Sequence, residues 1–323
     1  MKAVQYQNGG GPDVLSLVDV ARPEPADGEV LVEMRAASVN PVDAKLRERG
    51  AGQRPKTTGS DLAGVVTAVG DEVAGYEVGD RVFATGLHTD RFSGGSFAEF
   101  ATVPTDLLAP LPDGVRFEAG AAVALVGVTA WRALVHHAGL EPGSTALIHG
   151  GNGGVGHIAV GLADVLGATP VATARAEYHE MVRELGAETV LDYTRDDLTE
   201  AVHEATAGAD VILDHLPETY AELDVEVAAV GGDVVIIAGE SVALPNAAVA
   251  RSKELNVQLM SMSNLATHAT LPAIGPILER LGRLLETNRL EVRIDRTETL
   301  ENAAVAHRAV MEESIAGKIV VVP

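Results

Sequence analysis

The residues of this chain best suited to chemistry are the glycines of Gly151-Asn-Gly153-Gly-Val-Gly156. They follow a short apolar run, Ala146-Leu-Ile148, and open an alanine-rich helical pattern that reaches Leu166. Glycine serves three ends in such a place: a turn with unusual dihedrals, a backbone that approaches a pyrophosphate, and a helix packed tightly on its strand. The helix N-terminus then presents free N–H groups and the positive end of its dipole to phosphates. A glycine pattern alone is also met in ordinary turns. The strand before it and the helix after it point instead to a dinucleotide, with Gly151, Gly153, Gly154, Val155 and Gly156 as its backbone contacts.

The next strand chooses the cofactor. An acidic residue near its end would take the ribose 2′-hydroxyl of NAD, whereas an arginine accommodates the 2′-phosphate of NADP. That strand ends Val171-Ala-Thr173-Ala174-Arg175, with no carboxylate before Glu177. NADPH is therefore expected, with Thr173 at the strand end and Arg175 as its phosphate partner. A solvated arginine at the start of the next helix is the plainer alternative.

Composition excludes much else. The chain has 323 residues, 46 % of them hydrophobic, enough to fill two cores. It has no cysteine, which removes disulfides, thiolate-held zinc, iron–sulfur clusters and a cysteine nucleophile. The ten histidines are scattered apart from the adjacent His136 and His137, which cannot face one way on a helix, so no metal is expected. The net charge of −22 disfavours nucleic acid and anionic membranes as partners. It suits a protein kept soluble in high salt, or an ordinary acidic protein of the cytosol. No apolar run approaches a membrane span, and Met1-Lys-Ala-Val-Gln-Tyr6 leads directly into an alternating strand pattern, so a cytoplasmic location is expected.

The elements that must position the glycine turn can be read along the chain. Strand patterns cover 2–7, 14–20 and 29–39, broken by Pro23, Pro25 and Asp27-Gly28. Asn40-Pro-Val-Asp43-Ala-Lys-Leu-Arg47 reads as a short helix with proline in its first turn and asparagine in a capping position. Glycine-bounded strands follow up to about residue 112, suggesting a barrel-like β domain. Helical spacing covers 118–125 and 129–137. Apolar runs at 146–148, 170–174, 189–191, 210–213, 233–238 and 256–260 then alternate with helical segments, which predicts a doubly wound parallel six-stranded sheet. In the tail, 271–288 and 300–313 read as amphipathic helices. The last run, 317–322, has no slot in a six-stranded sheet and is expected to return to the first domain. The loop 86–95, polar and glycine-rich, is a candidate substrate entrance or an ordinary surface loop.

Four blocks in order, Val69-Gly70 to Gly79-Asp80-Arg81-Val82, Gly127-Val-Thr129-Ala-Trp131, the glycine turn, and Gly317-Lys318-Ile319, resemble the medium-chain dehydrogenase/reductase superfamily over essentially the whole chain. Its zinc alcohol dehydrogenases carry cysteine where this chain has Asn40, and His-Glu where it has Ser60-Asp61. The Asn40-Pro-Val-Asp43 segment is similar to the zinc-free quinone oxidoreductase branch, with its ζ-crystallin-like enzymes and plant enone reductases. This resemblance implies an α/β chain with a GroES-like β-barrel catalytic domain in two pieces, 1–121 and 262–323. A Rossmann domain, 122–261, is inserted between them, and NADPH binds without metal. It implies a homodimer joined through the last Rossmann strand, here 256–261.

By the same resemblance Asn40 lies beside the nicotinamide and Thr129 contacts it. Tyr193 lies near the phosphate end, and Ala238-Gly239 faces the nicotinamide ribose. Several relatives place a lysine where this chain has Tyr178, which leaves Arg175 as the main cation. The expected reaction is hydride transfer to a quinone, with the Asn40 amide or solvent donating a hydrogen bond to the developing oxyanion and Asp43 shaping the pocket or capping its helix. Reduction of an enone or 2-alkenal is the enzymatic alternative, for which Tyr6 and Tyr76 read better as packed aromatics than as proton donors. A non-catalytic NADPH-binding sensor or structural protein is the alternative of another class.

Overall fold

A computed structural model describes residues 1–87, 94–263, 271 and 273–323. Of the candidate entrance loop 86–95, residues 88–93 lie outside the described residues, as do 264–270 and Pro272.

In chain order the strands are β1 (Lys2–Tyr6), β2 (Ser16–Asp19), β3 (Glu29–Ser38), β4 (Lys56–Thr57), β5 (Asp61–Val69), β6 (Arg81–Thr85), β7 (Phe100–Pro104) and β8 (Leu108–Pro110). They continue with β9 (Thr145–Ile148), β10 (Thr169–Ala174), β11 (Thr189–Asp192), β12 (Ala209–Asp214), β13 (Ala228–Ile236), β14 (Asn256–Leu259), β15 (Ile294–Thr299) and β16 (Lys318–Val322). The helices are α1 (Pro41–Arg49), α2 (Phe117–Trp131), α3 (Gly154–Val165), α4 (His179–Glu184), α5 (Leu198–Thr206), α6 (Pro217–Val227), α7 (Ala247–Ser252), α8 (Ile274–Glu286) and α9 (Ala303–Glu312). The chain forms two compact units, one of Met1–Val128, Met262–Asn288 and Val292–Pro323, the other of Thr129–Ser261 and Arg289–Glu291.

The first unit is built on a seven-stranded sheet of order β15-β16-β3-β5-β6-β8, with β7 also pairing β3, beside a three-stranded sheet β2-β1-β4. The long strand β3 is its spine, because Val30, Val32, Met34 and Ala36 are all buried. The last strand does return here: β16 runs antiparallel to β3, with Val320 opposite Ser38, which brings Lys318 to the end of β3. Its neighbour β15 has no counterpart in the sequence reading. Ile294-Asp-Arg-Thr-Glu-Thr299 is polar and only half-buried at alternate positions, so it is held by pairing to β16 rather than by its own hydropathy.

The second unit is a six-stranded parallel sheet of order β11-β10-β9-β12-β13-β14. Chain direction across the sheet reverses between β9 and β12, so the turn after β9 stands at the switch point where ligands bind in open sheets. Leu147, Val171, Ile212 and Val234 from the strands pack against Val202, Leu223 and Val227 from the helices in one core.

Two readings need correcting. The segments at 118–125 and 129–137 are one helix: α2 continues through Gly127 and passes into a π-helical stretch over Arg132–His137. Gly127 packs closely there, since a Cβ would lie 2.7 Å from Leu281 Cδ1 and 2.9 Å from Val123 Cγ2 and those side chains would have to shift. The resulting helix, Phe117–His137, is long and apolar enough to cross a membrane by length and composition, contrary to the reading that no run approaches a span. Of its most apolar window 72 % is buried inside the protein, as expected of a core helix.

Candidate active site

At the end of β3 the chain turns into α1 at Asn40-Pro41, where the proline ring presets φ for the first helical turn. Asn40 is the N-cap in extended conformation, and the Asp43 carboxylate accepts its backbone N–H at 3.0 Å, as in a capping box. Asp43 also accepts a hydrogen bond from the Ser60 hydroxyl. The Asn40 side chain turns inward to a polar cluster assembled from β3, β5 and β16. Asp61 accepts from the Ser38 N–H at 2.8 Å, the Ser38 hydroxyl at 2.9 Å and the Asn40 amide at 3.0 Å. Lys318 donates to the Val39 carbonyl at 2.7 Å and to Asn40 Oδ1. An ammonium on one side and a carboxylate on the other leave the amide one orientation.

Every member of this cluster is buried. Burial lifts the Asp43 carboxyl to about 7, opposed by the Ser60 hydrogen bond and reinforced by the charge of Asp61. Burial also pushes Asp61 up, against the pull of Lys318 and its hydrogen bonds, and pushes Lys318 down, against both carboxylates. The expectation that the Asn40 amide donates to a substrate oxygen is not met by this arrangement. Its two N–H groups go to Asp61 and to the Ser38 carbonyl at 3.3 Å, and the residue is 0 % exposed.

The second group of nominated residues lies at the carboxyl ends of β9, β10, β11 and β13, with Thr129 on α2. After β9 the backbone passes through Gly150 at φ +67°, a left-handed position one residue before the glycine pattern. The Gly151 N–H donates to the Thr173 carbonyl at 2.8 Å and the Gly153 N–H to the Gly150 carbonyl at 2.9 Å, before α3 begins. A Cβ on Gly156 would lie 2.0 Å from the Gly150 oxygen, so only glycine lets the helix approach the turn so closely. Gly153, Gly154 and Val155 remain partly exposed at the helix start. The N–H groups of Gly151 and Gly153 are thus spent in shaping the turn, and those of Gly154, Val155 and Gly156, which precede the first intrahelical bond from His157 to Gly153, are the ones that fit a pyrophosphate.

Arg175, exposed at the end of β10, donates from Nε to the Tyr193 hydroxyl at 2.7 Å, so the structure brings these two nominated residues together across adjacent strands. Ala238 and Gly239 are exposed just beyond β13, Gly239 at φ +108°. Thr129 is buried on the last turn of α2. Thr173 differs from expectation: it is 0 % exposed, and its hydroxyl accepts the Gly150 N–H at 3.1 Å. It supports the turn and does not line it.

Sequence reasoning missed Lys318 as a site residue, and with it His149 and Asp224 beneath the glycine turn. The available signal was an ionisable residue inside a strand or at its end where every neighbour is apolar, as in Gly317-Lys-Ile-Val-Val-Val322.

Two protein families match the chain: the alcohol dehydrogenase GroES-like domain over residues 26–113 and the zinc-binding dehydrogenases over residues 185–321. The mouse quinone oxidoreductase is 32 % identical over 323 residues, which cover 97 % of this chain and 95 % of that protein. The chain belongs to the quinone oxidoreductase family of the medium-chain dehydrogenases/reductases. A mycobacterial protein solved in complex with NADPH superposes with a TM-score of 0.88 at 28 % identity, covering all of both chains. A 2-methylene-furan-3-one reductase of tomato (Solanum lycopersicum) is 36 % identical over 250 residues, 74 % of this chain and 62 % of that enzyme. As a member of the quinone oxidoreductase family the protein is an oxidoreductase that uses a nicotinamide dinucleotide and acts on small molecules.

The zinc named by one matching family does not fit the donors present. Zinc prefers thiolate and imidazole, and here an amide, a hydroxyl and a carboxylate share their pocket with the Lys318 ammonium.

Proposed function

We propose that the protein is an NADPH-dependent reductase that passes hydride to quinones or related conjugated carbonyls, without metal. The observation that carries the cofactor choice is Arg175, held by Tyr193 beside the end of β10, a strand whose sequence has no carboxylate before Glu177. Residues 122–261 serve as the dinucleotide domain, and 1–121 with 262–323 as the catalytic domain. Gly154, Val155 and Gly156 take the pyrophosphate on a turn that Gly151 and Gly153 shape, and Arg175 with Tyr193 takes the 2′-phosphate. Thr129, Ala238 and Gly239 serve the nicotinamide end.

Bound NADPH supplies hydride from C4 of its dihydronicotinamide. The chain has to hold the acceptor in place for transfer. Asn40 and Asp43 act as positioning residues in this reading. Asp43 anchors the start of α1 to Ser60, and Asn40 ties β3 to Asp61 and Lys318. A quinone spreads the arriving charge over a conjugated oxygen, so a hydrogen bond from solvent suffices. The likeness to the tomato reductase favours a second reading, reduction of the carbon–carbon double bond of an enone.

The test is loss of reduced-nicotinamide absorbance with NADPH and NADH, using a quinone and an alkenal side by side at low and high salt. Rapid NADPH consumption with the quinone is expected. Turnover with the alkenal alone would replace quinone reduction by enone reduction, and equal use of NADH would remove the role given to Arg175.

A further inference from the structure

The glycine turn rests on a chain of buried side chains that no local pattern announces. The Gly150 N–H donates to Thr173 Oγ1 at 3.1 Å, and Thr173 Oγ1 lies 3.3 Å from His149 Nδ1. On the other side of the ring His149 Nε2 lies 2.9 Å from Asp224 Oδ1, and the imidazole stacks on Tyr220 at 4.1 Å with planes 3° apart. His149, Thr173 and Asp224 are all at most 2 % exposed. A neutral His149 with its proton on Nε2 fits these contacts: Nε2 donates to Asp224, and Nδ1 accepts from the Thr173 hydroxyl, whose oxygen accepts the Gly150 N–H.

Asp224 and Tyr220 sit on α6, and the same helix reaches the other end of the nominated cofactor site. A Cβ on Gly239 would lie 2.6 Å from Pro217 Cγ, and Glu218 accepts the backbone N–H groups of Glu240 at 2.8 Å and Ser241 at 3.1 Å. One helix thus supports both the turn after β9 and the segment after β13.

We propose that Asp224, acting through His149 and Thr173, is a positioning relay that holds Gly150 in its left-handed conformation and so sets the affinity of the turn for a dinucleotide pyrophosphate. This rests on the reading that the turn at 151–156 receives the pyrophosphate. A relay of this kind affects ligands that carry phosphate and leaves those without it untouched, whereas a side chain that only fills the core affects stability alone.

The experiment compares kcat/KM for NADPH and for dihydronicotinamide riboside, a hydride donor without phosphate, with the same quinone acceptor. It also records the NADPH Kd by fluorescence and the Tm. Thr173→Val keeps the shape and removes the hydroxyl, and Thr173→Ser restores the hydroxyl. T173V is expected to lose roughly tenfold in kcat/KM and in Kd for NADPH while its rate with the riboside stays within about twofold, and T173S is expected to recover the NADPH rate. His149→Ala should reproduce the T173V pattern, and the double variant should be no worse than either alone. Equal losses with both donors, or a lower Tm with an unchanged NADPH Kd, would overturn the relay. A wild-type protein that uses both donors equally well would instead overturn the pyrophosphate reading itself.

Discussion

Lys318 and Asn40, 278 residues apart in the chain, share a buried hydrogen bond in which the ammonium donates to the amide oxygen. Through that amide the ammonium is linked to Asp61, so a cation and an anion are buried with a neutral group between them. Removing one partner leaves the other charge uncompensated. Lys318→Met is expected to cost about 3 kcal/mol of stability by urea unfolding, and Lys318→Met with Asp61→Asn less than the sum of the single changes. Additive losses would show that the amide does not couple the two charges.

The pH dependence of stability carries a signature of Asp43. Its carboxyl is raised from 3.8 in the unfolded chain to about 7 in the fold. Between those values the folded state holds a proton that the unfolded state has released. The stability contribution is therefore present below pH 4 and is lost as pH rises to about 7, with a slope of at most about 1.4 kcal/mol per pH unit. Asp43→Asn imitates the protonated form. Its unfolding free energy is expected to lack this loss, and parallel curves for the two proteins between pH 4 and 7 would contradict the assignment.

Arg175 should separate the two cofactors. Arg175→Ala is expected to raise the KM for NADPH roughly tenfold and leave that for NADH within about twofold, because in the proposed reading the guanidinium meets only the 2′-phosphate. Tyr193→Phe removes the hydroxyl that orients it and should have a smaller effect of the same sign. Steady-state kinetics with both cofactors decides the matter.

A dimer joined through β14 makes a further prediction. This strand is the edge of the six-stranded sheet, and Leu259 is 67 % exposed on it. An edge strand with unpaired backbone groups and exposed apolar residues, here Val257 and Leu259, is a template for pairing with a second copy. The wild-type protein is expected to sediment as a dimer and Leu259→Asp as a monomer; an unchanged sedimentation coefficient would place the interface elsewhere.

Much of the scaffold was legible because it is written in local spacing. The apolar runs between 146 and 260 could only be short strands separated by helices, and the glycine turn could be placed between the first run and its helix. Boundaries shifted where pairing, not hydropathy, holds a strand: β15 is polar after Ile294 and was missed, and β13 begins at Ala228, several residues before the apolar run at 233–238. The sequence reading left 126–128 outside both helical segments, yet Gly127 lies within α2 and packs against Leu281.

By itself the sequence determined the six-stranded parallel sheet, the turn at its switch point, the absence of thiolate chemistry and the lack of a carboxylate before Arg175. Each of these depends on residue types at short range. Only the tertiary structure decided that Thr173 supports the turn from below, that His149 reaches Asp224, and that Asn40 spends both amide N–H groups on Ser38 and Asp61 while Lys318 takes its oxygen. Burial makes an unpaired polar group costly, so each of these side chains must find partners. Those partners arrive on elements up to hundreds of residues away, and no local pattern records which of them will meet.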